Sequence, residues 1–282
     1  MTNAQEWQGR VGNTWAEEWR LTDMSFAGLA APLDAAIAAA APSSGRALDI
    51  GCGAGVTSLA LAAARPGLSI VGVDLSEQLV AVARERARGI ANLDYRSANV
   101  VDFAEATHGA DRFDLAFSRH GVMFFDDPAA AFRAIGGAIR PGGALVFSCF
   151  AAIARNPWAE EIAVAAGAAA PAPSPDGAYI PGPFAFSDPH FVRGLLEQAG
   201  FSAPAPQLAD YAYRAGEGVD AVERALHFFQ RIGPAARLLA AIEPAQRAPV
   251  RERLRAFLAE RERDGAVTFP AAAWIWTARV EG

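Results

Sequence analysis

The chemistry that can be read first from this chain lies in the run Leu48-Asp49-Ile50-Gly51-Cys52-Gly53-Ala54-Gly55, where a short apolar stretch passes into three glycines and then into an alanine-rich segment. A glycine turn of this kind lets a ligand approach the backbone closely and sets it at the N-terminus of the helix that follows. The spacing is G-x-G-x-G, and Val56 stands where the dinucleotide fingerprint has its third glycine. Asp49 precedes the first glycine by two residues, where a carboxylate would repel a pyrophosphate and attract an ammonium group such as that of a methionine moiety. The plainer alternative is that Asp49 pins a loop amide. Asp74, 23 residues beyond Gly51, closes the next apolar run at the usual place of an acid that accepts from ribose hydroxyls. Every nucleoside cofactor has a ribose, so Asp74 does not choose among them.

A second group is Ser118-Arg119-His120, at the end of another apolar run. A histidine there, with an unperturbed pKa of ~6.5, suits a general base for a phenol, an acid or an amine, and equally suits packing. Arg119 could hold an anionic substrate, a cofactor carboxylate or a neighbouring acid. The histidines at 108, 120, 190 and 227 show no ligand spacing, so no metal is expected. Cys52 and Cys149 fall in a loop and a strand and are expected to be reduced thiols.

These groups need a scaffold, and the pattern around them predicts an α/β fold. Strands are expected at Arg46 to Ile50, Leu68 to Asp74, Asn92 to Ser97, Phe113 to Ser118 and Ala144 to Phe150. Between them lie helical patterns at Val56 to Ala64, Glu77 to Arg88 and Pro128 to Ile139, the last stopped by Pro141-Gly142-Gly143. Short strands alternating with helices imply a parallel sheet covered on both faces. Further on come an irregular Pro/Gly-rich connection (Pro171 to Pro189), a helix to Ala199, a strand (Gln207 to Tyr213), a helical block (Val219 to Arg263) and a last strand (Ala271 to Val280). The block between those last strands reads as a wall or lid, not a separate domain.

Composition narrows the function. The 25 basic residues are all arginine, which excludes a lysine Schiff base and a lysine-bearing phosphate loop. A net charge of −6 argues against a nucleic-acid-coating protein. No apolar run reaches the ~18 residues of a membrane span and residues 1–20 do not read as a signal peptide, so a cytoplasmic location is expected.

Leu48 to Gly55 resembles the first motif of class I (Rossmann-like) S-adenosylmethionine-dependent methyltransferases. Val73-Asp74-Leu75-Ser76 is similar to the second, Phe113-Asp114-Leu115-Ala116-Phe117-Ser118 to the fourth-strand motif, and Arg140-Pro141-Gly142-Gly143-Ala144-Leu145 to the turn into strand five. The likeness is to the ubiquinone and menaquinone methyltransferase branch, runs from about 46 to 150, and resumes in Leu195-Leu196-Glu197-Gln198-Ala199-Gly200-Phe201. It implies a seven-stranded, mostly parallel sheet with the last strand antiparallel and with helical lid insertions. It also implies S-adenosylmethionine as cofactor and S-adenosylhomocysteine as product. Cofactor-binding positions implied by it, together with the reading above, are Asp49, Gly51, Cys52, Gly53, Asp74, Leu75, Gln78, Asn99, Val100, Ser118 and Arg119, with His120 the candidate base. The family's Gly-Asp-Ala after strand three falls on Ala98-Asn99-Val100, so an uncharged amide oxygen replaces a carboxylate at the adenine. The division expected is a helical lid (1–45), a cofactor-binding core (46–150) and a part completing the sheet (151–282), with acceptor-binding insertions at 151–190 and 214–265. Their aromatic content favours a small apolar or aromatic acceptor, methylated on oxygen before nitrogen or carbon. A non-catalytic cofactor-binding subunit or sensor stays open, as does, behind it, an NAD-dependent oxidoreductase.

Overall fold

The structure, a computed structural model, describes residues 4–169 and 179–281. Its frame is one sheet built from β1 (Gly45–Ile50), β2 (Leu68–Asp74), β3 (Leu93–Ser97), β4 (Phe113–Arg119), β5 (Ile139–Phe150), β6 (Phe201–Glu217), β7 (Glu262–Arg263) and β8 (Ala266–Val280). The strand order is β3-β2-β1-β4-β5-β8-β6, with β7 paired to β8. The neighbours from β3 to β5 are parallel, and β8 runs antiparallel to both β5 and β6. Between β1 and β4 the order reverses, which opens a crevice at the carboxyl ends of those two strands. Both the glycine loop, after β1, and His120, after β4, lie there.

The inner parallel strands are apolar because helices cover both faces, whereas the edge strand β3 buries Tyr95 alone. In β1 the last four residues are buried, Asp49 among them. The helix Ala27–Ala40 lays Leu29, Leu33 and Ile37, spaced by four, against the sheet. Ser76 and Asp127 cap the helices Glu77–Arg86 and Pro128–Ala138 by accepting amide hydrogens from Leu79 and Ala130.

Three differences from the sequence reading have physical causes. The strand expected at Gln207 to Tyr213 is the 17-residue β6, and the last strand starts at Ala266. Pro204, Pro206 and Gly216 suggest breaks, but β6 is an edge strand, where a missing amide donor goes unnoticed, and the register shifts at Ser202/Ala205 and Arg214/Gly216 absorb the irregularity. The two-residue β7 raises the strands to eight. Finally, the block Val219 to Arg263 divides into helices Ala221–Arg231, Pro234–Ala241 and Pro244–Ala259, broken where Pro234 and Pro244 force the preceding residue out of helical geometry. Of the irregular connection, residues 171–178 lie outside the described residues. Among the described residues no helix is long and apolar enough to cross a membrane.

Candidate active site

The glycine loop is held open from below. Gly51, Gly53 and Gly55 all have left-handed backbones (φ +62°, +53° and +82°). A Cβ on Gly51 would stand 3.0 Å from Gly121 Cα, and one on Gly55 would collide with the Tyr95 hydroxyl. At Gly53 it would meet nothing within 4 Å. Gly51 and Gly55 therefore let protein pack against protein, whereas Gly53 borders empty space. Tyr95 reaches this loop from β3 by passing over Gly72, where any side chain would strike its ring, and donates to the Gly55 carbonyl at 3.3 Å.

Two acids brace the same loop. Asp74 accepts from the Gly53 amide at 2.8 Å and from the Ser76 amide at 2.9 Å. It thereby clamps the glycine turn while keeping lone pairs on both oxygens for a ligand. Asp49 is buried and accepts from the Ser58 hydroxyl. Burial pushes its carboxyl up to about 7, against the opposing pull of the Ser58 hydrogen bond and the Arg119 charge.

One cavity of about 540 Å³ connects these groups to the end of β4. Its walls include Asp49, Gly51, Cys52, Gly53, Asp74 and Leu75, then Leu79 and the stretch from Ala98 to Asp102, then Arg119 and His120. Gln78 is not among them. It is exposed and faces an outer groove with Trp19 and Arg86, because on the helix Glu77–Arg86 it is the apolar neighbour Leu79 that turns inward. Asn99 does line the cavity, but its amide oxygen already accepts the Val101 amide at 2.9 Å as a helix cap. Ser118 is fully buried and faces the protein interior. Its hydroxyl donates to the Ile50 carbonyl at 2.7 Å and accepts from the Gly121 amide at 3.1 Å, which ties the end of β4 to the end of β1. Arg119 pairs with an acid, Asp23 of the helix Trp19–Ser25, at 3.0 Å.

His120 sits where that tie turns the chain, with φ +61°, a conformation a non-glycine residue adopts at a cost of about 1–3 kcal/mol. Its ring stacks on Phe150 (4.4 Å, 14°) and touches Phe26 (5.0 Å). Nδ1 lies 3.5 Å from the Ser148 hydroxyl, and Nε2 is buried without a partner. Burial, reinforced by the adjacent Arg119 charge and opposed by the Ser148 carbonyl, lowers its pKa to about 3. The ordinary histidine value assumed from sequence is therefore corrected: this imidazole is neutral at physiological pH.

Around His120 the cavity is aromatic. Phe26, Phe150, Trp158, Tyr213 and Phe229 line it, with Trp158 and Tyr213 stacked at 4.8 Å and 5°. The roof comes from the N-terminal helices: Trp7 packs edge-on against Trp15 (5.5 Å) and Phe124 (5.1 Å), with its Nε1 buried and unpartnered. Asp23 fastens this roof by reaching Arg119 and also Arg86 (2.9 Å), which in turn donates to the Ala54 carbonyl of the glycine loop at 2.7 Å. Sequence reasoning missed Asp23, Tyr95 and Ser58. The first two act across 96 and 40 residues of chain, and no local spacing signals such contacts.

Residues 48–147 match the family model described as "Methyltransferase domain". That match spans the glycine loop, the acid that ends β2 and the end of β4, so this part of the chain has the sequence pattern of a methyltransferase domain. Within this region it is similar to a ubiquinone biosynthesis O-methyltransferase of Aromatoleum aromaticum, 39% identical over 104 residues, covering 36% of this chain and 43% of that one. The chain spans about half the length of the curated relatives it matches. Beyond the domain, likeness rests on fold. A phosphoethanolamine N-methyltransferase 2 of Haemonchus contortus, solved with S-adenosyl-L-methionine, superposes with a TM-score of 0.54 at 18% identity, covering 96% of this chain and 57% of that one. The (4+2)-cyclase SpnF superposes at 0.55 and 19%, covering 99% and 97%. Both show the sheet and its helices, and neither fixes the chemistry.

Proposed function

We propose that this protein transfers the methyl group of S-adenosylmethionine to a small apolar or aromatic acceptor, on oxygen before nitrogen or carbon, and releases S-adenosylhomocysteine. The observation that carries the reading is that the glycine-loop wall and the aromatic chamber around His120 belong to one cavity. The residues present fit the cofactor: Gly53 borders open space, Asp74 has lone pairs for ribose hydroxyls, and Asp49 offers a carboxylate to an ammonium group. Leu75, Leu79 and Val100 supply apolar wall for an adenine, with Asn99 at its edge.

When bound, this cofactor supplies a methyl group made electrophilic by its sulfonium. The protein's part is alignment. Holding two reactants in line is worth about 7–11 kcal/mol in well-oriented systems, and the aromatic rings keep water out while attracting a cation. We read the described residues of the segments 1–45, 151–190 and 214–265 as the roof and walls that choose the acceptor, with His120 as the residue that meets its heteroatom.

Two measurements test the reading. Calorimetry should show S-adenosylhomocysteine binding, and a screen of phenols, amines and carbon acids should show one class converting S-adenosylmethionine to it. Binding without turnover on any class would favour a non-catalytic cofactor-binding protein, and no binding would remove the cofactor assignment.

A further inference from the structure

We infer that Ser58 and Tyr95 are positioning residues for the cofactor: through the Ser58 hydroxyl they aim Asp49 and keep it a carboxylate, and so set how strongly the site prefers a nucleoside that carries an ammonium group. The inference rests on the reading of Asp49 as the partner of that group and adds what sustains it there. Its starting point is a cost. Asp49 is 1% exposed, and a carboxylate that far from water reverts to the neutral acid unless donors meet it. The neutral acid is a poor partner for an ammonium group.

The donors come from one residue. Ser58 is the third residue of the helix Val56–Ala64, entered from Gly55, so its amide has no acceptor within the helix and faces the Asp49 carboxyl instead. Its hydroxyl, fully buried, donates to Asp49 Oδ2. The other charged and titratable groups that face Asp49 are Arg119 from β4, which favours the carboxylate, and Asp74 from β2, which opposes it. Cys52 and Tyr95 face it too, with burial holding the thiol and the phenol in their neutral forms. Arg119 divides its charge with Asp23 at 3.0 Å, and of the groups that favour the charged form Ser58 contributes most.

Tyr95 keeps Ser58 in place. It is the one buried residue of the edge strand β3, and its ring crosses Gly72 to bring the hydroxyl to Gly55 and Ser58. A serine hydroxyl has one proton, and Asp49 receives it, so Ser58 turns a lone pair toward Tyr95. The phenol donates to the Gly55 carbonyl at 3.3 Å and toward Ser58, and a hydroxyl that accepts a hydrogen bond donates a stronger one. Neither Ser58 nor Tyr95 lines the cavity, so both act through Asp49.

The test compares two ligands by calorimetry on the full chain: S-adenosylhomocysteine, which carries the ammonium group, and 5′-methylthioadenosine, the same thionucleoside without the amino-acid end. Wild type should prefer the first, and its affinity for it should rise with a midpoint near pH 7. Ser58→Ala should raise that midpoint by about one pH unit, which cuts the charged fraction of Asp49 at pH 7 from about a half to about a tenth and weakens S-adenosylhomocysteine about fivefold. Affinity for 5′-methylthioadenosine should stay within about twofold, which also shows that the variant folds. Tyr95→Phe keeps the ring over Gly72 and should shift the midpoint the same way by about half as much. A Ser58→Ala protein that weakens both ligands alike, or neither, or leaves the midpoint unmoved would overturn the inference, and a Tyr95→Phe protein identical to wild type would overturn the share given to Tyr95. Equal affinity of wild type for the two ligands would instead overturn the reading of Asp49, and binding of neither would overturn the cofactor site itself.

Discussion

Replacing Asp49 by asparagine should make the free protein more stable at alkaline pH while damaging ligand binding. The carboxyl is buried and titrates at about 7 in the folded chain, against 3.8 for an unperturbed aspartate. Between those values the folded state binds the proton that the unfolded state has lost, so stability falls as pH rises through this window and the full penalty stands above pH 7. About three pH units at 1.4 kcal/mol each put that penalty at roughly 4 kcal/mol. Between pH 5 and pH 8 the change amounts to about 2.5 kcal/mol by the same linkage. The substituted amide never titrates, so its own hydrogen-bonding defects are constant with pH and cancel in the comparison. Chemical denaturation of wild type and Asp49→Asn at pH 5 and 8 should therefore show the difference swinging by about 2.5 kcal/mol toward the mutant at pH 8. Wild type should bind S-adenosylhomocysteine more tightly as pH rises from 6 to 8 and the carboxylate becomes available to the ammonium group, and the mutant should lose that rise. A stability difference that is the same at both pH values would refute the argument.

Other substitutions probe separate parts of the site. Gly53→Ala places a methyl group in open space at a left-handed φ; it should cost about 1–2 kcal/mol of stability and weaken S-adenosylhomocysteine at least tenfold by calorimetry, and unchanged affinity would remove Gly53 from the binding wall. Asp23→Ala leaves two guanidinium groups without their shared partner, so melting should report a loss of about 1–3 kcal/mol and the N-terminal helices should be cut faster by protease. Resistance equal to wild type would show that the roof does not depend on Asp23. Because His120 titrates at about 3, kcat at saturation with both ligands should show no histidine inflection between pH 6 and 9, and an inflection there that vanishes in His120→Gly would contradict its buried neutral state.

The parts of the site legible from sequence are those made by neighbours in the chain. The glycine turn, Asp49 and Asp74 follow strands whose apolar runs mark their ends, and a left-handed turn at such an end calls for glycine. At the start of the second helix, family position points to Gln78, whereas helical phase points one residue further, to the inward-facing Leu79. Ser118 is legible as a strand residue, but which way its hydroxyl turns depends on the Ile50 carbonyl of a neighbouring strand. The pKa of His120 was beyond reach for the same reason: burial under Phe26 and Phe150 is a property of the assembled chamber. The edge strand β6 hid behind its prolines, which are costly inside a sheet and harmless at its border.

Asp23 has a bearing on traffic as well as on architecture. Its two oxygens hold Arg86, which grips the glycine turn, and Arg119, which adjoins His120, so one side chain of the roof reports on both halves of the cavity at once. A roof lifted from either half would part contacts made by this one side chain, along with the Glu17 and Glu18 pairs to Arg231. Were the roof to lift, loading and emptying would be one shared event instead of two independent doors, and the dwell time of ligands would depend on an ion triad, shortened by added salt as far as its partial burial allows.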